Sequence, residues 1–363
     1  MHRVITCQHY FDGDHLFGSS QLTLDPDGIL IDVVPFSGAP EYFCVSPGFV
    51  DVQMNGYGLF NVAESSAEEL QLLGETLADL GTTSWLGTIV TAPLSVLSAT
   101  VTHLHQVFVK QTARGFAGVH VEGPFLGKSP GAHRVQHIVA ADSEWITQLP
   151  TSVRIVTLAP EQDRVVDGVR QLRDKGIVVS VGHSQPSDGE YDAVVDAGAS
   201  LVTHVFNGMS GVHHRTGGLA LRALTDDRVA VSLIADGVHV RPDIASLVFR
   251  SKGDGNVCLV SDSVAWESPS AMRIGLTASD AVRLPDGTLA GSCSTLADCV
   301  RNVVQHSGVG LERALRAATS TPAEILNNGE IGRIAAGRTN DMIALDSSLT
   351  VVNTWLRLPS VGA

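Results

Sequence analysis

The chain has 363 residues, 44% of them hydrophobic and 17% charged, with 36 glycines, a composition that buries a large core and turns often. Its formal charge of −14 argues against nucleic acid as a main partner, because binding a phosphate backbone needs a Lys/Arg-rich face and none is visible. No apolar run reaches the roughly 20 residues that span a bilayer, which argues against a membrane partner.

The N-terminal "MHRVITCQHYFDGDHLFG" lacks the apolar stretch and small-residue cleavage site of a secretion signal. Five cysteines without CxxC spacing do not read as a disulfide framework, so a cytoplasmic location is the expectation. "QLTLDPDGILIDVV" is two alternating runs about an Asp-Gly turn, a predicted β-hairpin.

From about residue 48, short apolar or β-branched runs alternate with helical patterns. The predicted strands are 48–53, 83–90, 116–122, 153–159, 177–183, 200–206, 229–236 and 256–262. Between the first two, Ser66 and Glu69 are spaced as a capping box, Leu70, Leu73, Leu77 and Leu80 share a helical face, and Gly81 marks the stop. Ser187, Glu190 and Gly198 repeat that grammar between the fifth and sixth. Eight such units without a GxGxxG after the first strand predict a (β/α)8 barrel over an open doubly wound sheet. The tail "GRIAAGRTNDMIALDSSLTVVNTWL" is again strand-rich. The expected organisation is a barrel over 47–334 and a small flanking β-sandwich domain built from 1–46 and 335–363.

The active site of such a barrel lies at the C-terminal ends of its strands. Gln53, Asn55, Glu122, His183, His204, Asp236, His239 and Asp262 all fall there. Two imidazoles and a carboxylate, His183, His204 and Glu122, form a plausible divalent-metal set with a position left for water. Asp262, after the apolar run of the eighth strand, is placed to take a proton from water and pass it to a leaving group. Asp236, followed by Gly237, reads as a turn former. His133 and His239 are candidates to polarise a carbonyl or hold a substrate hydroxyl, with exposed loop histidines as the alternative. His120, in phase with Glu122, reads as a satisfied core histidine.

The motifs "PGFVDVQMNGYG", "GVHVEGPF" with "GAH", "VTLAPE", "VGHSQPS", "THVFNGMSGVHHR", "ADGVHV", "LVSDS", "LAGSCSTL" and "ATSTPAEILNN" with "GRIAAGRTNDMIALD" run in order over nearly the whole chain. In this order they resemble the N-acetylglucosamine-6-phosphate deacetylase family of the amidohydrolase superfamily. The resemblance implies a distorted (β/α)8 barrel with a flanking β domain, in a homodimer that hydrolyses an N-acetylated amino-sugar 6-phosphate to acetate and the free amine. It implies Glu122, His183 and His204 as metal ligands, Asp262 as catalytic acid/base, His133 at the substrate carbonyl and His239 against the sugar. Asn207, the Gly208 backbone and Arg215 would hold the phosphate, the arginine reaching over from the partner subunit; a guanidinium matches phosphate with paired hydrogen bonds. Many superfamily members have His-x-His where this chain has Gln53 and Asn55. Neutral amide oxygens are poor ligands for zinc-like ions, so one divalent ion per subunit, Zn2+, is expected. Loops 208–218 and 263–275 depart from the family pattern and bear on sugar preference. The rival readings are a deacetylase of N-acetylgalactosamine 6-phosphate, an amidohydrolase of another amide, and a sugar-phosphate sensor without catalysis.

Overall fold

A computed structural model describes residues 2–279 and 281–357. Eight parallel strands follow one another round a barrel: β1 (Phe49–Met54), β2 (Thr82–Val90), β3 (Phe116–Glu122), β4 (Val153–Leu158), β5 (Val178–Val181), β6 (Leu201–Val202), β7 (Ala230–Ile234) and β8 (Val257–Val260). Every residue of β1 and all but the last of β2 are buried, as parallel strands covered on both faces must be. Hydrogen-bonded pairing runs from β1 to β8 in sequence order. The remaining seam is closed just beyond the strands, where Asp262 N–H donates to the Gln53 carbonyl at 3.0 Å and Asn55 N–H to the Ser263 carbonyl at 2.8 Å. That closure sets the end of the first strand against the end of the eighth.

Helices wrap the barrel. In Ala67–Asp79 the Ser66–Glu69 capping box forms, and Leu70, Leu73 and Leu77 face inward; the helix Asp188–Ala197 starts with the same box, Ser187 and Glu190, and stops at Gly198. Each box satisfies two backbone N–H groups that a helix start leaves without partners.

The expected sandwich beside the barrel takes the form of one continuous sheet. Its order is 351–355, 342–345, 42–47, 3–11, 20–24 and 30–35, with Leu16–Phe17 paired to the 3–11 strand. The predicted hairpin is present as Ser20–Leu24 antiparallel to Leu30–Pro35, its turn held by Asp25 Oδ1 accepting from Asp27 and Ile29 N–H, both at 2.9 Å. Ile5, Cys7, Leu22, Leu30, Met342 and Trp355 pack a core of its own. Met1 and residues 358–363 of the expected terminal domain lie outside the described residues.

The largest departure from the sequence expectation is the sixth strand. The run 200–206 reads as one strand, yet only Leu201–Val202 is extended. From His204 the chain turns away: His204 has φ 32° and Phe206 φ 78°, and Asn207 N–H closes a turn onto the His204 carbonyl at 2.9 Å. β-branched propensity is overruled here because a continuing strand would alternate its side chains across the sheet.

Candidate metal centre and active site

Four strand ends carry the site, and three of them leave their strands through strained backbone. His183, His204 and Asp262 have φ of 51°, 32° and 46°, a region that costs a non-glycine residue about 1–2 kcal/mol and that gathers at functional sites when surrounding structure enforces it. For His183 the enforcement is visible: Gly127 N–H donates to its carbonyl at 2.9 Å, and its Nδ1 meets the Ser129 carbonyl at 3.2 Å.

The consequence is convergence. Glu122 Oε1 lies 3.1 Å from His183 Nε2 and 3.0 Å from His204 Nε2, and the two Nε2 atoms are 3.1 Å apart. All three residues are at most 6% exposed. His133 Nε2 enters the same cluster, 3.2 Å from His183 Nε2 and 3.8 Å from Glu122 Oε2, so this residue is no exposed loop histidine. The atoms of Glu122, His133 and His183 lie within 4.8 Å of one another, a grouping able to hold a metal ion.

The donor set fits such an ion. In a tetrahedron with bonds of roughly 2.0–2.1 Å, neighbouring ligand atoms sit roughly 3.3 Å apart, close to the spacings among Glu122, His183 and His204. Lone pairs of two imidazoles and a carboxylate aimed at one point repel unless a cation or protons sit among them. Burial alone would raise Glu122, but hydrogen bonds from His183 and His204 hold its carboxyl well below the usual range. Burial alone would lower His204, but the bond to Glu122 raises it. A bound ion replaces those protons, with the Ser129 carbonyl orienting the His183 ring from behind.

Asp262 is partly buried, and burial followed by the nearby Glu122 charge pushes its carboxyl up to about 6. Its Oδ1 accepts from Asn55 Nδ2 at 2.9 Å. Gln53 likewise acts as a donor, Nε2 lying 3.0 Å from Glu122 Oε1. The two amides therefore hand N–H groups to the two carboxylates of the site.

The structure brings Gly208 to the site and leaves Arg215 outside it. A Cβ on Gly208, at φ +55°, would stand 2.7 Å from His183 Nδ1. Asn207 Nδ2 turns back to the His204 carbonyl at 3.3 Å. Arg215 is exposed on a small hairpin, paired with His214 Nε2 at 3.1 Å, and within one chain it makes no hydrogen bond or ion pair to Glu122, His183, His204 or Asp262. His120 is a satisfied core histidine, with Nδ1 3.0 Å from the Val52 carbonyl and Nε2 2.7 Å from Thr157 Oγ1; burial pushes it down to about 4.

Two contributors escape a reading by residue type. Glu161 Oε1 accepts from Lys128 N–H at 3.0 Å and Gln185 N–H at 2.8 Å, and its Oε2 accepts from Ser184 Oγ, so one carboxylate ties the loop after β3 to the loop after β5. Its only signal is a lone acid at the end of "VTLAPE". Asp236 forms the predicted turn and also meets His239 Nδ1 at 2.7 Å.

An eight-stranded parallel barrel with a buried Glu/His cluster at its strand ends and a protonatable aspartate facing it defines a metal-dependent hydrolase, and residues 44–359 match the model of the amidohydrolase family. The chain belongs to that family. Within it, the chain is 32% identical to the N-acetylgalactosamine-6-phosphate deacetylase of Escherichia coli O157:H7, over 98% of this chain and 96% of that one. It is also 32% identical to the N-acetylglucosamine-6-phosphate deacetylase of Danio rerio, over 96% and 92%. Among solved structures, N-acetyl-D-glucosamine-6-phosphate deacetylase from Mycobacterium smegmatis, a variant in complex with N-acetyl-D-glucosamine-6-phosphate, superposes with a TM-score of 0.88 at 28% identity over 98% of both chains.

Proposed function

We propose that this protein removes acetate from N-acetyl-D-glucosamine 6-phosphate, giving D-glucosamine 6-phosphate, at a mononuclear zinc site of Glu122, His183 and His204. The observation that carries the reading is the convergence of these three donors at 3.0–3.1 Å beside a partly buried, proton-accepting Asp262. An ion there would supply Lewis acidity, lowering the pKa of water and polarising the amide carbonyl.

The chain's own residues do the rest. Asp262, ionised above about 6, takes the proton of the attacking water and returns it to the nitrogen as the C–N bond breaks, so that a neutral amine and acetic acid leave, the acid then losing its proton to solvent as acetate. Asn55 fixes the carboxylate through Oδ1, which leaves Oδ2 for the proton. His133, its Nε2 already beside the ligand cluster, donates to the oxygen on which negative charge develops. Gln53 occupies one lone pair of Glu122 with an N–H, which disfavours a second ion on that oxygen. Asn207, the Gly208 backbone and a partner subunit's copy of Arg215 hold the 6-phosphate in a cytoplasmic homodimer; the reading draws support from the lack of any acidic partner for Arg215 among the described residues.

N-acetylgalactosamine 6-phosphate is the second reading, favoured by relatives of that name at the same 32% identity. Acetate release by protein stripped of metal and reloaded with about one equivalent of zinc, the stoichiometry of a single ligand set, tests both. Restored turnover of the gluco epimer with a far lower kcat/KM for the galacto epimer is the expected result. The reverse preference moves the substrate, and acetate release from neither overturns the deacetylase reading.

A further inference from the structure

Two residues past β7, Asp236 divides its carboxylate between two tasks. Oδ1 accepts from the N–H groups of Val238 at 2.9 Å and His239 at 2.8 Å, closing the turn, while Oδ2 lies 2.7 Å from His239 Nδ1. The two side chains are 0% and 4% exposed. Burial alone would raise the Asp236 carboxyl, but the hydrogen bond from His239 holds it below its usual value, so it stays ionised. An ionised carboxylate only accepts. The proton of the pair therefore sits on Nδ1, and Nε2 of the neutral ring is left as a lone-pair acceptor.

That acceptor belongs to the loop just past β7, at the strand-end face of the barrel that carries Asp262. No described residue hydrogen-bonds to His239 Nε2, and the ring is near enough to Asp262 for the charge state of each to bear on the other. We propose that Asp236 is a positioning residue: it locks His239 as the Nδ1–H tautomer, so that Nε2 accepts a hydrogen bond from a ring hydroxyl of the substrate and selects sugars that offer one there. The hydroxyl as ligand rests on the deacetylase reading above; the tautomer lock does not.

Asp236→Asn tests both halves. The amide oxygen keeps the two turn bonds, and its NH2 group then faces His239 Nδ1. The ring must present a lone pair at Nδ1 and carry its proton at Nε2. In zinc-loaded protein with 15N-labelled histidine, with His239 assigned by the resonances lost in His239→Ala, the expected native signature is an unprotonated Nε2. In Asp236→Asn it becomes a protonated one. The same tautomer in both proteins overturns the lock.

The hydroxyl is read with 3-deoxy-3-fluoro and 4-deoxy-4-fluoro analogues of the 6-phosphate sugar, because fluorine cannot donate. One of them should raise KM about tenfold in the native enzyme with little change in kcat, the worth of one hydrogen bond to a buried acceptor. In Asp236→Asn that discrimination should fall to near unity. His239→Ala should abolish it too, which keeps the test decisive if Asp236→Asn does not fold. Equal discrimination in native and variant, or a penalty that follows the 6-phosphate and not the hydroxyl, overturns the assignment. If native protein releases no acetate from the parent sugar, the deacetylase reading fails; the tautomer spectra still decide the lock, and calorimetric binding of the same analogues still decides the hydroxyl.

Discussion

Replacing Gly208 by alanine tests whether the turn after β6 sets the geometry of the ligand cluster. Gly208 sits at φ +55°, and a Cβ there would stand 2.7 Å from His183 Nδ1 and 3.0 Å from Cε1. The left-handed backbone alone costs alanine about 1 kcal/mol. Relief of the contact to an ordinary 3.4 Å or so requires roughly 0.7 Å of movement, more than the ~0.5 Å within which a metal constellation must be held. The His183 ring can yield only by giving up Ser129, its partner at 3.2 Å, or by swinging Nε2 away from Glu122 and His204. Loss of such an outer partner lowers metal affinity about 10–100-fold. Zinc affinity measured by competition with a chelating dye should fall by at least tenfold. Tm of the zinc-free protein should drop only about 2–4 °C, since 1 kcal/mol moves a large domain little. Zinc affinity within twofold of native, at any Tm, would refute the argument that Gly208 is there for His183.

Asp262→Asn should retain zinc by elemental analysis and lose turnover by two to four orders of magnitude, the usual worth of a positioned acid/base; near-native kcat would remove Asp262 from the mechanism. Arg215→Ala should raise KM for the 6-phosphorylated sugar at least tenfold more than for the unphosphorylated one, as expected for a charged phosphate contact; an equal rise for both would detach Arg215 from phosphate. Asp51, wholly buried with Oδ1 accepting from Gln53 N–H at 3.1 Å, has its carboxyl pushed up to about 7 by that burial. Because the folded value is raised, its contribution to stability is complete below the unfolded value near 4 and is lost as pH climbs through about 7, a loss on the order of 4 kcal/mol. Asp51→Asn should therefore gain Tm relative to native at pH 8 and not at pH 4; a pH-independent difference would show that Asp51 titrates alike in the folded and unfolded chain and refute the raised value.

The barrel was legible because its signals are local. Eight apolar runs, two Ser–Glu capping boxes and a stop glycine after each box are written in adjacent residues, and the structure builds strands and helices on them with ends moved by a few residues. The sixth strand was misjudged for a reason of the same kind: "SLVTHVF" has strand propensity throughout, and only the demands of the site bend it at His204. Propensity measures what a segment prefers alone, and a site is where that preference is overridden.

What residue type and spacing do not carry is direction. Gln53 and Asn55 were read for their oxygens as poor ligands, yet their amide nitrogens make the contacts, to Glu122 and Asp262; the same two letters serve either role, and the neighbouring carboxylates decide which. Asp236 was read as a turn former, and its Oδ1 is one. The second oxygen of the same carboxylate reaches His239, three residues on, because the turn folds that ring back. Glu161 clamps loops that lie 33 and 24 residues away in sequence, a separation at which no local pattern exists. The ligands themselves could be nominated from strand ends, since the barrel turns distance along the chain into adjacency. Their supporting bonds arise only once those ends bend into the left-handed region at His183, His204 and Asp262. The strained positions and the positions illegible in sequence thus have one cause: the site takes its geometry from contacts between strand ends, and each strand's own residues argue for a different conformation.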